Sequence, residues 1–300
     1  MVKGVLIGLA NIIPGVSGGT FALILGIYDR LINALAGIKV DILKKIINPR
    51  TFIQEIKKTD IIFLIQIGSG AVISIVSCSW FMEYVLKEYP GIMLSLFMGL
   101  IVPSVAVPYR MISKRSLNNI LWIIPGIILV LALYSIQAGF YKPVLPVIFL
   151  SGVFAVSAMI LPGISGSFLM LLMGVYEEVI RNIKSFTAGF DLDSFVFLSV
   201  FAAGCLLGLV IFVRLMKMLF NKYSDKTMFF LIGLVIGSFV VLWPFKEYPQ
   251  TLIHNVDIAV ITSKNRLPVD IKEIAVNSVF FVLGLVGSWG LIRIAKGKDK

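Results

Sequence analysis

The residues best suited to chemistry in this chain are two small polar clusters set in apolar sequence. PGVSGGT at Pro14–Thr20 returns as PGISGSF at Pro162–Phe168, an offset of 148. The match runs outward from the motif: Gly4, Gly26 and Tyr28 fall on Gly152, Gly174 and Tyr176, and Asp29 falls on Glu177. Pro-Gly interrupts a helix, and lipid offers no partner to the backbone groups freed there. Such breaks persist where they line a protein-enclosed site, and paired breaks in two halves of a membrane protein point to a substrate site. Gly15–Thr20 and Gly163–Ser167 are expected to present backbone N–H groups at a helix N-terminus. That end carries a partial positive charge and favours anions, phosphate above all. Ser17, Thr20, Ser165 and Ser167 add hydroxyl donors, while Gly18, Gly19 and Gly166 allow close approach to the backbone. The competing reading is tight helix packing by small residues. Duplication of the break itself favours a site, and the absence of GK[ST] after the glycines excludes a soluble P-loop.

Other polar residues are less specific. Asp29–Arg30 and Glu177–Glu178 end the apolar arms that follow each break and are placed near the membrane interface, where a surface-facing role and, for Asp29 and Glu177, a part in headgroup contact or coupling are equally open. Arg110 and Lys246 follow matched Pro-aromatic pairs, Val-Pro-Tyr-Arg and Trp-Pro-Phe-Lys, and are expected at opposite surfaces. They read as headgroup docks or, slightly preferred, as ordinary flanking cations. Gly4/Gly8, Gly204/Gly208 and Gly233/Gly237 have the spacing of helix packing. Cys78 and Cys205 sit in apolar runs and read as buried small hydrophobes, and His254 reads as a solvated loop residue. No nucleophile–histidine pair, HExxH, metal-ligand spacing or nucleotide fingerprint occurs. The expectation is therefore transport rather than catalysis, with neither cofactor nor metal.

The elements that must position these clusters follow from hydropathy. The 300 residues are 58% apolar and 14% charged, with mean hydropathy +0.98, the profile of a polytopic membrane protein. One early lysine, no small-residue cleavage site and an immediate repeat argue against a removable signal peptide. Six segments are long enough to cross: about 61–86, 91–109, 119–137, 195–213, 227–243 and 275–292. Two further apolar regions, 4–28 and 144–176, carry the breaks. In the first, arms 4–13 and 17–28 are each roughly 15–18 Å long, half of a ~30 Å hydrocarbon core. They suggest a re-entrant hairpin with its tip near the midplane; two full spans remain open if the second arm runs on to Ile38. A surface helix is expected near 268–275.

The net charge of +11 is explained by membrane orientation rather than nucleic acid. Counting crossings gathers the 37–60 loop, Arg110, Lys114, Arg115, Arg214, Lys217, Lys222, Lys226 and the C-terminal tail on one side. This strongly basic side is taken as cytoplasmic, along with both termini. Each half then holds a hairpin and three spans, an odd number of crossings, so the second repeat must be inverted. The expected fold is an all-α polytopic membrane protein of two inverted repeats, 1–138 and 139–300. Each repeat is a Pro-Gly-broken re-entrant hairpin plus three transmembrane helices. The lipid bilayer is the expected surrounding, and the sequence leaves a homo-oligomer open.

The pair AN-IIPGVSGGTFALILGIYDRL and LPGISGSFLMLLMGVYEEVI resembles, over essentially the whole chain, a prokaryotic family associated with polyprenyl-phosphate transport, the undecaprenyl-phosphate translocases. The resemblance implies a multi-pass protein of the cell membrane that returns the carrier lipid phosphate from the outer to the inner leaflet for reuse in envelope synthesis. The family motif lands on Pro14, Gly15, Ser17, Gly18, Gly19 and Thr20 and on Pro162, Gly163, Ser165, Gly166 and Ser167. Family members often carry Asp shortly before the first proline; this chain departs from that pattern with Asn11, which puts a proton-coupling role there in question and leaves Asn11 a candidate for headgroup contact or coupling. A transporter or channel for a small soluble anion is the alternative that the same residues allow.

Overall fold

The computed structural model describes residues 1–12, 16–37, 60–136, 143–189, 191–247 and 263–297. Pro14, Gly15, Lys142, His254 and most of the 37–60 and 247–274 loops lie outside this set. The described chain is almost entirely helical. The first broken region comprises α1 (Val2–Ile12), α2 (Gly18–Ile24) and α3 (Tyr28–Gly37). Next come α4 (Ile61–Glu88), α5 (Pro90–Ile101), a 3₁₀ turn (Val102–Val105), α6 (Ala106–Met111), α7 (Leu117–Ile120) and α8 (Ile123–Ser135). The second broken region is α9 (Leu145–Ile160), α10 (Gly166–Leu172) and α11 (Tyr176–Ala188). It is followed by α12 (Leu192–Val241) and α13 (Ile271–Gly297).

Five of these segments are long and apolar enough to cross a bilayer. One of them, α12, has 50 residues, about 75 Å by helical rise and more than twice the ~30 Å core. It is two spans joined at Tyr223, whose φ of −135° and ψ of 41° leave the helical region. Thr227 Oγ1 donates to the Tyr223 carbonyl at 2.9 Å and so satisfies an acceptor the break would strand. The same device serves the expected span at 91–109. Pro103 lacks an N–H, the helix tightens to 3₁₀, and Ser104 Oγ donates to Ile101 O at 2.6 Å. The surface helix expected near 268–275 is instead the first turn of α13. Ile62, Ile65, Val72 and Val76 on α4, with Val279, Val282 and Val286 on α13, present apolar side chains outward, as a helix facing lipid does.

Each broken region departs from two equal arms. The arms after the breaks, α2 and α10, have only seven residues, about 10 Å. They stop where Gly26 (φ 64°) and Gly174 (φ 67°) take left-handed conformations that other residues avoid. The axis bends by 120° between α2 and α3, which excludes a second arm running straight on to Ile38. Consequently Asp29 and Glu177 do not end the arms; they lie in the first turns of separate amphipathic helices, where a carboxylate suits the helix dipole. Arg30 of α3 holds Asp60, just before α4, in a two-pronged ion pair of 2.6 and 2.9 Å.

Glycine contacts organise the rest. A Cβ on Gly4 would overlap the Ile67 carbonyl and one on Gly152 the Phe201 carbonyl; Gly70 meets Met1, and Gly204 meets Phe149. Likewise Gly99 abuts Phe281 and Gly233 abuts Ile123. In the first two pairs the second contact repeats the first at fixed sequence offsets, 148 between the broken regions and 134 between the spans that follow them; in the third, Gly99 and Gly233 are again 134 apart but their partners Ile123 and Phe281 are 158 apart. The core sits around α2, all seven of whose residues are buried, and around Leu231, Leu234 and Val235 of α12. Cys78 and Cys205 are only half-buried, on the flanks of spans rather than in this core.

Candidate functional site

The two motifs, 148 residues apart in sequence, touch. Ser17 Oγ donates to the Leu161 carbonyl at 2.6 Å, and the Gly163 N–H donates to Thr20 Oγ1 at 3.0 Å. Ser17 and Thr20 are 1% and 0% exposed, so these bonds form where water cannot compete. Gly19 lies against the Ile160 carbonyl too closely to admit a Cβ, and Gly163, at φ 82°, lies as closely against Leu234 O. The breaks therefore meet closely, and the Met159 and Leu161 carbonyls and the Gly163 N–H beside Pro162 find partners in the Ser17 and Thr20 hydroxyls of the opposite motif.

The first motif spends its donors internally. Ser17 caps α2 by accepting from the Gly19 N–H at 3.0 Å, and Asn11 Oδ1 accepts from the Gly18 N–H at 2.9 Å. Lys3 Nζ donates to Leu25 O at 2.9 Å at the other end of α2, where a cation suits the dipole. The expectation of free N–H groups at this tip is thus corrected: Gly18 is already paired with Asn11, which α1 brings back to it, and Gly19 with the Ser17 cap. The glycines serve protein contacts as well, Gly18 facing the Asn11 side chain and Gly166 the Ala155 carbonyl. The second motif is left more open. Ser165 precedes α10 without capping it, and its hydroxyl lies 2.7 Å from that of half-buried Ser167. One hydrogen bond between two hydroxyls leaves a donor and further lone pairs unspent.

Lys246 differs most from its sequence expectation. Arg110 is exposed at the surface, as anticipated. Lys246 is 4% exposed, and its Nζ has no hydrogen-bond partner among the described residues. It stands on a two-residue strand, β1 (Lys246–Glu247), paired antiparallel with β2 (Lys264–Asn265), with Lys246 opposite Asn265. Desolvation by burial pushes its pKa down to about 8. The ammonium lies 5.6 Å from the ring centre of Tyr134, a cation–π distance, and Tyr134 packs on Phe168 and Leu171 of α10. The matched Val-Pro-Tyr-Arg and Trp-Pro-Phe-Lys segments thus end in different structures. Residues 106–111 coil into α6, whereas Trp243 donates its indole N–H to Arg266 O at 2.9 Å and holds Lys246 in the hairpin.

The sequence places a hairpin tip near the midplane without pairing it to the other motif; the bonds that make the contact, from Ser17 to Leu161 and from Gly163 to Thr20, carry no sequence signal beyond the motif. Tyr134 was missed altogether, having nothing to distinguish it from other aromatic residues near span ends. No cluster of histidine, cysteine or carboxylate suited to a metal occurs among the described residues.

These features define a multi-pass α-helical membrane protein in which two broken helices meet at a buried contact. The chain belongs to the undecaprenyl phosphate translocase-like family, whose model matches residues 7–260. A polyprenyl-phosphate transporter of Vibrio cholerae is 32% identical over 299 residues, spanning 99% of this chain and 94% of that protein. A polyprenyl-phosphate transporter of Staphylococcus aureus is 27% identical over 308 residues, spanning 98% and 95%. No solved structure matches the chain.

Proposed function

We propose that this protein carries polyprenyl phosphate across the cytoplasmic membrane, from the outer to the inner leaflet, for reuse in envelope synthesis. Residues 1–138 and 139–300 act as two inverted repeats, with both termini on the cytoplasmic side. The phosphate passes the converged motifs, Pro14–Thr20 and Pro162–Ser167, while the prenyl chain stays in lipid. The observation that carries this reading is the direct hydrogen bonding of the two motifs, since paired breaks in transporters of internal repeats meet at the transported group. The named relatives supply the lipid class.

In this conformation the Ser17–Leu161 and Thr20–Gly163 bonds close the passage. Ser165 and Ser167 are the motif hydroxyls still able to receive a phosphate, and Lys246 supplies a positive charge one aromatic ring away from α10. A buried cation that lacks a hydrogen-bond partner among the described residues, as Lys246 does, is costly unless an anion visits it. The test is leaflet-resolved movement of undecaprenyl phosphate in proteoliposomes, with inorganic phosphate as the competing substrate. Movement of the lipid is expected in the wild type and sharply less in Ser165→Ala/Ser167→Ala. Phosphate uptake without lipid movement would favour the soluble-anion alternative.

A further inference from the structure

A second site lies away from the motifs. At the Tyr223 break a cavity of about 480 Å³ opens, lined by Trp122, Met216, Leu219, Tyr223, Lys226 and Phe230. That volume falls in the ~300–1,000 Å³ range of small-molecule sites. Its walls are mostly apolar; Lys226 brings the charge, and Thr227, also in the lining, has its hydroxyl bonded to the Tyr223 carbonyl. The Lys226 ammonium lies 5.7 Å from the Trp122 ring centre and 5.8 Å from that of Tyr223. Two rings desolvate part of the ammonium and stabilise its charge, yet none of its three N–H donors is taken by a carboxylate among the described residues. The adjacent acid is committed elsewhere: Asp225 accepts from the Ser113 and Lys114 N–H groups at 2.8 and 3.0 Å.

Position and charge say what fits. Leu117–Ser135 and the arm of α12 beyond Tyr223 both begin their apolar runs beside the cavity, which puts it at the depth where Trp and Tyr sit in membrane proteins. Lys114 and Arg115 stand next to the Asp225 anchor, and the Lys222 ammonium lies 5.4 Å from the Tyr223 ring centre, so the rim is strongly basic. The break is a built feature, because Thr227 satisfies the carbonyl it frees.

We propose that this cavity seats an anionic phospholipid of the adjoining leaflet. Its phosphate rests on Lys226 and the upper part of one acyl chain lies along Met216, Leu219 and Phe230. Basic pockets between membrane helices recognise anionic headgroups in this way. None of the lining residues belongs to the motifs, so the inference stands independently of the transport reading.

The test uses the purified full-length protein in detergent. Retention of phosphatidylglycerol, phosphatidylethanolamine and undecaprenyl phosphate is read by native mass spectrometry, with inorganic phosphate as competitor. One cation near a membrane surface is worth about a fivefold shift in binding, so the wild type should retain phosphatidylglycerol about fivefold over phosphatidylethanolamine. Lys226→Gln should level the two, Lys226→Arg should keep the preference, and Leu219→Trp should lower retention of both by filling the cavity. Lipid transport should persist in Lys226→Gln. Equal retention of both phospholipids by the wild type, or an unchanged preference in Lys226→Gln, would overturn the proposal. Displacement by inorganic phosphate alone would reassign the cavity to a soluble anion. Tighter, Lys226-dependent binding of undecaprenyl phosphate would reassign it to the transport path.

Discussion

The contact between the two motifs can be tested at a single atom. Thr20 Oγ1 is the acceptor for the Gly163 N–H at 3.0 Å, and both groups are buried. Valine has nearly the same shape as threonine, so Thr20→Val removes the acceptor with little change in packing. Gly163 cannot swing its N–H elsewhere, because its backbone is held at φ 82° against the Leu234 carbonyl. An orphaned buried donor costs about 1–3 kcal/mol, whereas a merely weakened bond costs less than the ~0.5–1.5 kcal/mol net worth of an ordinary one. Thr20→Val should therefore lose about 1–3 kcal/mol and Thr20→Ser well under half of that. Ser17→Ala removes both the α2 cap and the bond to Leu161, for about 0.5–2 kcal/mol. If the two bonds hold one interface, the double variant Ser17→Ala/Thr20→Val should lose less than the sum, since opening one bond frees the other. The assay is unfolding of the purified protein in one detergent, monitored by helical signal across denaturant. A Thr20→Val protein within about 0.5 kcal/mol of wild type, or full additivity in the double variant, would refute the interlock.

Gly163→Ala should be far more damaging than either, because the added Cβ meets Leu234 O and the positive φ disfavours any side chain; folded yield after detergent extraction measures it. Lys246→Met should raise thermal stability at pH 7 while reducing lipid phosphate movement, since it removes a buried charge that an anion would use. The pH dependence has a definite sign: with the folded pKa near 8 and the unfolded value at 10.5, the unfolded chain binds more protons between these limits. Wild-type stability relative to Lys246→Met should thus be flat below pH 8 and rise towards pH 10, as followed by melting temperature; a falling difference would contradict an unpaired buried lysine. Single cysteines at Lys222 and Lys264, in a background lacking Cys78 and Cys205, should react from opposite sides of the membrane, and labelling of both from one side would sink the inverted arrangement.

How much was legible in advance differs by element. Long apolar runs dictate helices in lipid whatever their neighbours, so the spans at 61–88, 117–135 and 271–297 were readable to within a few residues. Their ends were less so: the 91–109 span tightens to 3₁₀ at Pro103, and two expected spans fuse through Tyr223 into one kinked helix. At both places a nearby hydroxyl, Ser104 or Thr227, donates to a backbone carbonyl three or four residues before it, a contact set by side-chain conformation rather than by hydropathy. The arms were overestimated because hydropathy continues through Gly26 and Gly174, while the chain turns there.

The duplicated Pro-Gly-x-Ser-Gly, the long apolar segments and the bias of basic residues towards the loops between them were determined by the sequence alone, because each rests on local chemistry. The division of labour between the motifs was decided only by tertiary structure. Ser17, Thr20 and Asn11 turn inward because α1 folds back on α2 and the second break abuts the first, so donors that local sequence leaves free are paired across 142–144 residues or across the turn. Lys246 shows the same limit from the opposite direction. Its neighbours in sequence match those of Arg110, and only the hairpin fixed by Trp243 and Asn265 takes it out of water and sets it against Tyr134. Desolvation is a property of everything packed around an atom, and no pattern within one segment encodes it.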